Sequence, residues 1–479
     1  MKPVFLLTDL FLFALVIAGA FYIRYVLRAP QLRANWRLAL QRPAAAVSAV
    51  VLGFFLLVAL ADSLHYRRAG PPDPKTGARV WAVETRSALD LVLGPIATAQ
   101  ERTYSSPLAW LGFRKETFER DGKVVRDYPR LKYGGAHLSD PDSQWAGDVA
   151  WRSLAGLAGG ALAWTLGALA VLAVLAKRSG EPLRATLALV ARGRTQYPVR
   201  SMLLTAGALA LAIGAAVALS TGYHVFGTDK VGASVLVAAV KSVRTALVIG
   251  SLTTLVVLPL AVAFGVTAGY FRGWIDEAIQ YVYTLLASIP DVLLIAAAVL
   301  LLQVKIDTNP ELFETALERG DARLFFLCLI LGITSFTGLC RLVRGETMKL
   351  RELEYIQAAH AFGVRASRVL VRHILPNVAP VVLISTVLQF SNFVLAEAVL
   401  SYVGVGVDPK TYSFGVMINT ARLELAAEPV IWWSLAAAFV FMFLIVLPAN
   451  LFADAVRDAF DPRARLRSPA AAPVGTAAA

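Results

Sequence analysis

Apolar runs of about 20 residues recur from one end of this chain to the other, and no other feature limits its fold so tightly. In helical form a run of that length crosses roughly 30 Å of hydrocarbon, and helices and closed barrels alone satisfy their backbone polar groups without water. Spans are read at 4–23, 44–61, 153–176, 202–221, 245–268, 281–303, 324–340, 377–400 and 430–453. Composition agrees: 57% of the 479 residues are hydrophobic, 16% are charged, and the mean hydropathy is +0.62. Such a chain is too apolar for a water-soluble domain. The expected fold class is an all-α polytopic membrane protein.

The net charge of +13 does not point to nucleic acid. Its cations sit in loops beside apolar spans, and no aromatic-basic module or DNA-reading motif accompanies them. Topology explains the placement, because basic residues stay on the cytoplasmic side. Arg24, Arg28, Arg33, Arg37 and Arg42 follow the first span, and Lys177, Arg178, Arg184, Arg192, Arg194 and Arg200 separate the third from the fourth. Counting crossings from there puts Arg272, the stretch Arg341 to Arg372, and the C-terminal Arg457, Arg463, Arg465 and Arg467 on the same side. The N-terminus is then expected outside and the C-terminus inside. A cleaved signal peptide is the alternative for the first span, since Lys2 precedes an apolar run ending in Ala18-Gly19-Ala20. Cleavage would leave an arginine-rich loop outside, which favours an uncleaved anchor.

The two cysteines, Cys328 and Cys340, stand twelve positions apart on what reads as one helix. A separation of about 18 Å of helical rise prevents their pairing. Residues 62–150 form the one sizeable extramembrane piece. There Asp121-Gly122 separates "KETFER" from "KVVRDY", which predicts a two-residue hairpin turn and a partly β domain on the outer face, either touching a soluble partner or capping the bundle. The tail 468–479, "SPAAAPVGTAAA", has no periodicity and is expected to be disordered.

The stretch "EYIQAAHAFGVRASRVLVRHILPN" (354–377) is polar between two apolar spans. Tyr355, Ala358, Ala359 and Phe362 recur at i, i+3, i+4 and i+7 and share one helical face. Gly363 offers a C-terminal stop, a basic piece follows at 365–373, and Pro376 suits the first turn of the next helix. A short helix with a small apolar face fits a groove on another protein. The stretch resembles the EAA loop of the membrane subunits of bacterial ATP-binding-cassette importers: Ala358, Ala359, Gly363, Leu375 and Pro376 agree with that motif, and Gln357 stands where it has Glu. "LAEAVLSYVGVGVDP" (395–409), "SFGVMI" (413–418) and "NLFADAVRDAFDPR" (450–463) resemble the second permease subunit of the dipeptide, oligopeptide and nickel branch. "FGTDKVGASVL" (226–236) resembles that branch's extracytoplasmic segment, with Ala233 and Ser234 replacing a polar-acidic pair.

The resemblance runs through 223–467 and resumes at 33–65; the helix at 4–23 and residues 66–222 depart from it. It implies a type I importer transmembrane bundle in the bacterial inner membrane, with extra N-terminal helices and a small extracytoplasmic insertion. The organisation expected is an N-terminal helix and basic loop (1–43), a first family-like span (44–61), the insertion (62–150), an inserted helix pair (151–222) and a permease core (223–467) whose coupling loop is 341–376. The implied partners are a second permease subunit, two ATPase subunits, a periplasmic solute-binding protein and the lipid bilayer. By the same resemblance Glu354, Tyr355, Gln357, Ala358, Ala359, Phe362 and Gly363 would dock on the ATPase.

No G-x-x-x-x-G-K-[ST] phosphate loop occurs, so ATP hydrolysis is expected on a separate chain, and no cofactor motif is present. The five histidines, His65, His137, His224, His360 and His373, lack metal-ligand spacing; His360 and His373 read as part of the docking surface. Within 377–400, Ser385, Gln389 and Asn392 fall on one face, either lining a hydrated path or bonding to neighbouring helices. Asp291, in "SIPDVLLI", falls near the middle of span 281–303, where a carboxylate is costly and needs a partner, a proton or water, and Pro290 can open the helix beside it. Glu397 lies near the outer end of its span, facing a binding protein or packed at the interface. The function expected is a permease subunit that forms the path for peptides or a similar small solute; the rivals are an ion-coupled carrier using Asp291 and an assembly factor without transport.

Overall fold

The computed structural model describes residues 2–72, 79–120, 123–309, 311, 313 and 315–460. The helices in chain order are α1 (Leu7–Arg28), α2 (Pro30–Gln41), α3 (Pro43–Ser63), α4 (Leu89–Thr98), α5 (Pro141–Ser179), α6 (Leu183–Ala191), α7 (Val199–Ser220), α8 (Val235–Phe271) and α9 (Gly273–Ser288). There follow α10 (Asp291–Asp307), α11 (Ala316–Ser335), α12 (Thr337–Arg351), α13 (Glu354–Ala361), α14 (Ala366–Val369), α15 (Leu375–Val403), α16 (Phe414–Leu425) and α17 (Trp433–Phe460). The strands are β1 (Lys2–Val4), β2 (His65–Pro72), β3 (Arg79–Ser87), β4 (Glu116–Arg120) and β5 (Lys123–Asp127).

Among the described residues seven helices are long and apolar enough to cross a bilayer, and two bent pairs raise the number to nine. The bends correct two of the expected spans. Span 281–303 is broken between α9 and α10, whose axes differ by 88°. Pro290 has no N–H to continue the ladder and drives Ile289 to an extended φ of −95° and ψ of 132°. Span 324–340 is likewise two helices, α11 and α12, bent by 42° at Phe336. Cys328 and Cys340 therefore lie on different helices, and both are buried free thiols.

Helix α8 is the axis of the bundle, with α3, α11, α12, α15 and α17 packed along it. Its contact with α12 is the tightest of these, because Gly265 and Gly269 remove the side chains that would hold the helices apart. A Cβ at Gly269 would stand 2.6 Å from the Arg344 carbonyl oxygen and 2.7 Å from the Thr347 Cβ. Val248, Ile249, Leu327, Leu331 and Val343 fill the core around this seam. Helices α5 and α7 form an antiparallel pair on the flank, with Gly214 against Gly156 and Gly160. Leu162 and Leu166 on the outer face of α5 stay exposed, as a lipid-facing surface requires.

The strands lie at one end of the bundle. β1, β2 and β3 form an antiparallel sheet in that order, with Val4 opposite His65 and His65 opposite Ser87. The first span consequently starts at Leu7 rather than residue 4. β4 and β5 pair antiparallel with Arg120 opposite Lys123, the register of a two-residue hairpin; Asp121-Gly122 itself lies outside the described residues, as does the tail 468–479.

Two polar clusters join these extra pieces to the core. Arg244 of α8 donates to the Asp9 carboxylate of α1 at 2.6 and 3.1 Å and lies 3.4 Å from Asp321 of α11. His65 meets the other Asp9 oxygen at 2.8 Å, while Thr8 donates to Asp321 through its N–H at 3.0 Å and through its hydroxyl. In the second cluster, Glu101 accepts from the backbone N–H groups of Lys132, Tyr133 and Gly134 at 2.8, 2.8 and 3.0 Å. Its own N–H donates to the Gly232 carbonyl at 3.0 Å, so the 226–236 segment docks on the insertion. Burial would raise the Glu101 carboxyl, but His224 and the backbone donors outweigh it and hold the group at about 2.

Candidate coupling loop and translocation surface

The α11–α12 pair runs away from the strand-bearing end and delivers α13 to the opposite end. There the loop is braced against α8 and α9 by polar contacts. Arg344 binds Asp276 with two parallel hydrogen bonds of 2.5 and 2.7 Å, and Arg351 donates to the Tyr270 carbonyl at 2.8 Å. Such a forked arginine pair fixes orientation as well as distance. Arg272 pairs with Glu352, and Gln357 reaches back to the Glu352 carbonyl at 3.2 Å.

Helix α13 ends as its sequence predicts. Gly363 takes a φ of +72°, its N–H donates to the His360 carbonyl at 2.9 Å, and the Val364 N–H donates to Ala359 at 3.0 Å. These two bonds make a Schellman motif, which satisfies the last carbonyls of a short helix. The basic piece after it is not a separate helix: α14 passes through a π turn, Leu370–Ile374, straight into α15, with Pro376 in that helix's first turn.

Of the expected docking residues, Glu354, Tyr355, Gln357, Ala358, Phe362 and Gly363 are exposed, and Phe362 keeps 87% of its surface. Ala359 is half-buried and packs on the core. The residue that seats the helix is Ile356, which is 0% exposed; the Ala-Ala pattern hides it because it is the inward partner of the face that was read as outward. His360 stacks on Tyr270 with ring centroids 5.5 Å apart and shares a 2.8 Å hydrogen bond with its hydroxyl. It therefore braces the loop to α8. His373 lies beside Tyr355, with centroids 6.1 Å apart.

The expected path residues are not brought together. Asp291 is exposed at the N-terminus of α10, directly after the 88° break, and not midway along a continuous span. Asp291 thus opens the second helix of a broken pair and does not interrupt one continuous helix. Ser385 and Gln389 are partly buried on α15 and Asn392 is exposed on the same helix. Among the described residues no hydrogen bond joins them to Asp291. Among the described residues the Gln389 Oε1 and the Thr386 and Ser391 hydroxyls find no partner, a costly state in hydrocarbon unless water or another subunit supplies one. Glu397 is buried and accepts from Ser401 at 2.7 Å and Ser413 at 2.9 Å, so it fastens α15 to α16 and faces no outside protein.

One feature escapes sequence reading. An open cavity of about 770 Å³ at the strand-bearing end is lined by polar side chains from distant elements, among them Gln303, Arg323, Asn419, Thr420 and Arg422. Its signal in the sequence is only that 414–425 is helical yet too short to span.

Residues 261–466 match the family described as "Binding-protein-dependent transport system inner membrane component". The chain is similar to the oligopeptide transport system permease protein OppC of Mycobacterium tuberculosis, 33% identical over 242 residues, covering 50% of this chain and 77% of that protein. It is also similar to the dipeptide transport system permease protein DppC of Lactococcus lactis subsp. cremoris, at 29% over 241 residues, 50% of this chain and 64% of that protein. A third relative is the glutathione transport system permease protein GsiD of Pectobacterium atrosepticum, 31% identical over 242 residues, 50% of this chain and 73% of that protein. The matched region contains the braced loop, the bent helix pairs and α15 to α17. The chain belongs to the family of binding-protein-dependent transport system inner membrane components, the membrane-spanning permease subunits of ATP-binding-cassette importers.

Proposed function

We propose that this subunit forms one half of a translocation path for short peptides or a solute of similar size, and that α13 receives the stroke of a separate ATPase. The observation that carries this is the mounting of α13: Ile356 is fully buried beneath it, Tyr355, Ala358 and Phe362 face outward, and Arg344, Arg351 and His360 tie its supports to α8 and α9. A rigid lever with a small apolar tip transmits displacement to the helices that line the path. The solute class is supported by the relatives, which are permease proteins of oligopeptide, dipeptide and glutathione transport systems.

In the assembly proposed, a second permease subunit covers the exposed apolar faces of α9 and α10, where Tyr281, Leu285, Leu293 and Leu301 lie uncovered, and supplies partners to Thr386 and Gln389. Two ATPases sit at the α13 end and a solute-binding protein docks at the strand-bearing end. That orientation places the basic loops inside the cell, and the N-terminus outside with β2, to which β1 pairs. Ser385, Gln389, Asn392 and Asp291 remain the proposed lining of the path, with Asp291 at the hinge of a broken span. The test is uptake of a labelled dipeptide into vesicles holding the whole complex. Accumulation should require ATP and survive collapse of ion gradients; accumulation without ATP that vanishes with the gradient would overturn the proposal.

A further inference from the structure

The two basic loops, more than a hundred residues apart in sequence, meet at the α13 end of the bundle. Gln196, just before α7, lies against the Arg37 guanidinium of α2. Residues 24–42 hold five cations and no acid, and 177–200 hold six cations against the single Glu181. All eleven cations are exposed. Among the described residues only Arg42 has a carboxylate partner, Asp458.

Each loop contains a helix too short to cross a bilayer, set at the end of a span. On α6, Leu183 and Leu187 are exposed one turn apart beside Arg184, and the neighbouring Thr186 and Val190 are buried against the bundle. On α2, Trp36 donates to the Tyr22 hydroxyl at 3.2 Å and stacks on Phe452, leaving Arg33, Arg37 and Leu38 outward. Uncovered leucines next to uncovered arginines describe a helix lying in the interface plane, with its apolar side in the acyl chains and its cations at headgroup level. Retention of cations on one side of a membrane would not require the two loops to meet.

We infer that α2, α6 and their flanking arginines form a binding surface for the headgroups of anionic phospholipids. The lipid contact depends on neither the ATPase nor the transported solute. The occupant is chosen by charge and by position: a phosphate-bearing layer is the anion found at this depth, and each cation near it adds attraction.

The test reconstitutes the full chain in phosphatidylcholine and measures, by electron spin resonance, the immobilised fraction of spin-labelled phosphatidylglycerol against spin-labelled phosphatidylcholine. The native chain should prefer phosphatidylglycerol by at least about threefold at low salt. That preference should fall towards parity at about 0.5 M NaCl, where charges are screened over a few ångströms. R33Q/R37Q/R184Q/R194Q, which leaves the other seven cations of the two loops in place, should lower the preference without abolishing it, whereas R33K/R37K/R184K/R194K should keep the native preference, which separates lost charge from lost folding. K115Q/R126Q, at the strand-bearing end, should behave as native. Parity in the native chain, including parity accompanied by capture of nucleic acid or acidic protein, would overturn the inference, as would an undiminished preference in the glutamine variant.

Discussion

Replacing Asp9 by leucine tests whether the N-terminal helix is an integral part of the bundle. The Asp9 side chain is completely buried and neutralises Arg244, whose side chain is 9% exposed, through hydrogen bonds of 2.6 and 3.1 Å. Removing one partner of a buried pair strands the other charge, at a cost of about 3–5 kcal/mol. Asp321 stands 3.4 Å from Arg244 and compensates in part, which puts Asp9→Leu near about 3 kcal/mol. The chain carries its own reporter, since Cys328 and Cys340 are both 0% exposed and react with a maleimide dye only on unfolding. Heating the purified variant should expose the thiols several degrees earlier than in the native chain. The triple variant Asp9→Leu/Arg244→Leu/Asp321→Leu removes the cation and both carboxylates that face it and should recover most of that loss, because apolar replacement of a whole buried triad is close to neutral. Thiol exposure at the native temperature in the single variant, or simply summed losses in the triple variant, would refute the reasoning.

Two further outcomes follow from packing and protonation. Gly269→Val places a side chain against the Arg344 carbonyl and Thr347; overpacking of this kind costs about 1–3 kcal/mol, and by lifting α12 from α8 it should reduce ATP-driven uptake more than it reduces the amount of protein in the membrane. Glu101 is held at about 2 against an ordinary 4.5, so its stabilisation is fully present above pH 4.5 and is lost as pH falls towards 2; it amounts to about 3 kcal/mol. Pepsin should therefore cut the 101–134 region increasingly across that window in the native chain, whereas Glu101→Gln should be cut readily throughout it.

What the sequence makes legible is local. Hydropathy finds the spans, the spacing of Tyr355, Ala358 and Phe362 with Gly363 after them finds α13 and its stop, and the Asp121-Gly122 pair finds the hairpin of β4 and β5, because each depends on neighbours within a few residues. Long-range pairings leave no such trace. Asp9 and Arg244 are 235 positions apart, and nothing near either in the sequence names the other as its partner. Ile356 looks like any other apolar residue until α12 and α14 are placed against its helix. Pro290 announces a weakness in span 281–303, but the 88° break follows from the packing of α10 on α11, and with it Asp291 passes from mid-span to a hinge. The polar cavity is hidden for the same reason, its lining being drawn from six separate helices and two loops.

The coupling role of α13 is tested most directly by a charge on its exposed face. Ala359 is half-buried, so Ala358→Asp, at the exposed neighbour, separates contact from folding more cleanly, with Ala359→Asp as its companion. Retention of the ATPase subunits on the purified permease is the quantity to measure, alongside thiol shielding as proof of an intact bundle. Both variants should lose the ATPase, and Ala358→Asp should do so with its cysteines still protected; an ATPase that stays bound and drives normal uptake in Ala358→Asp would contradict the assignment.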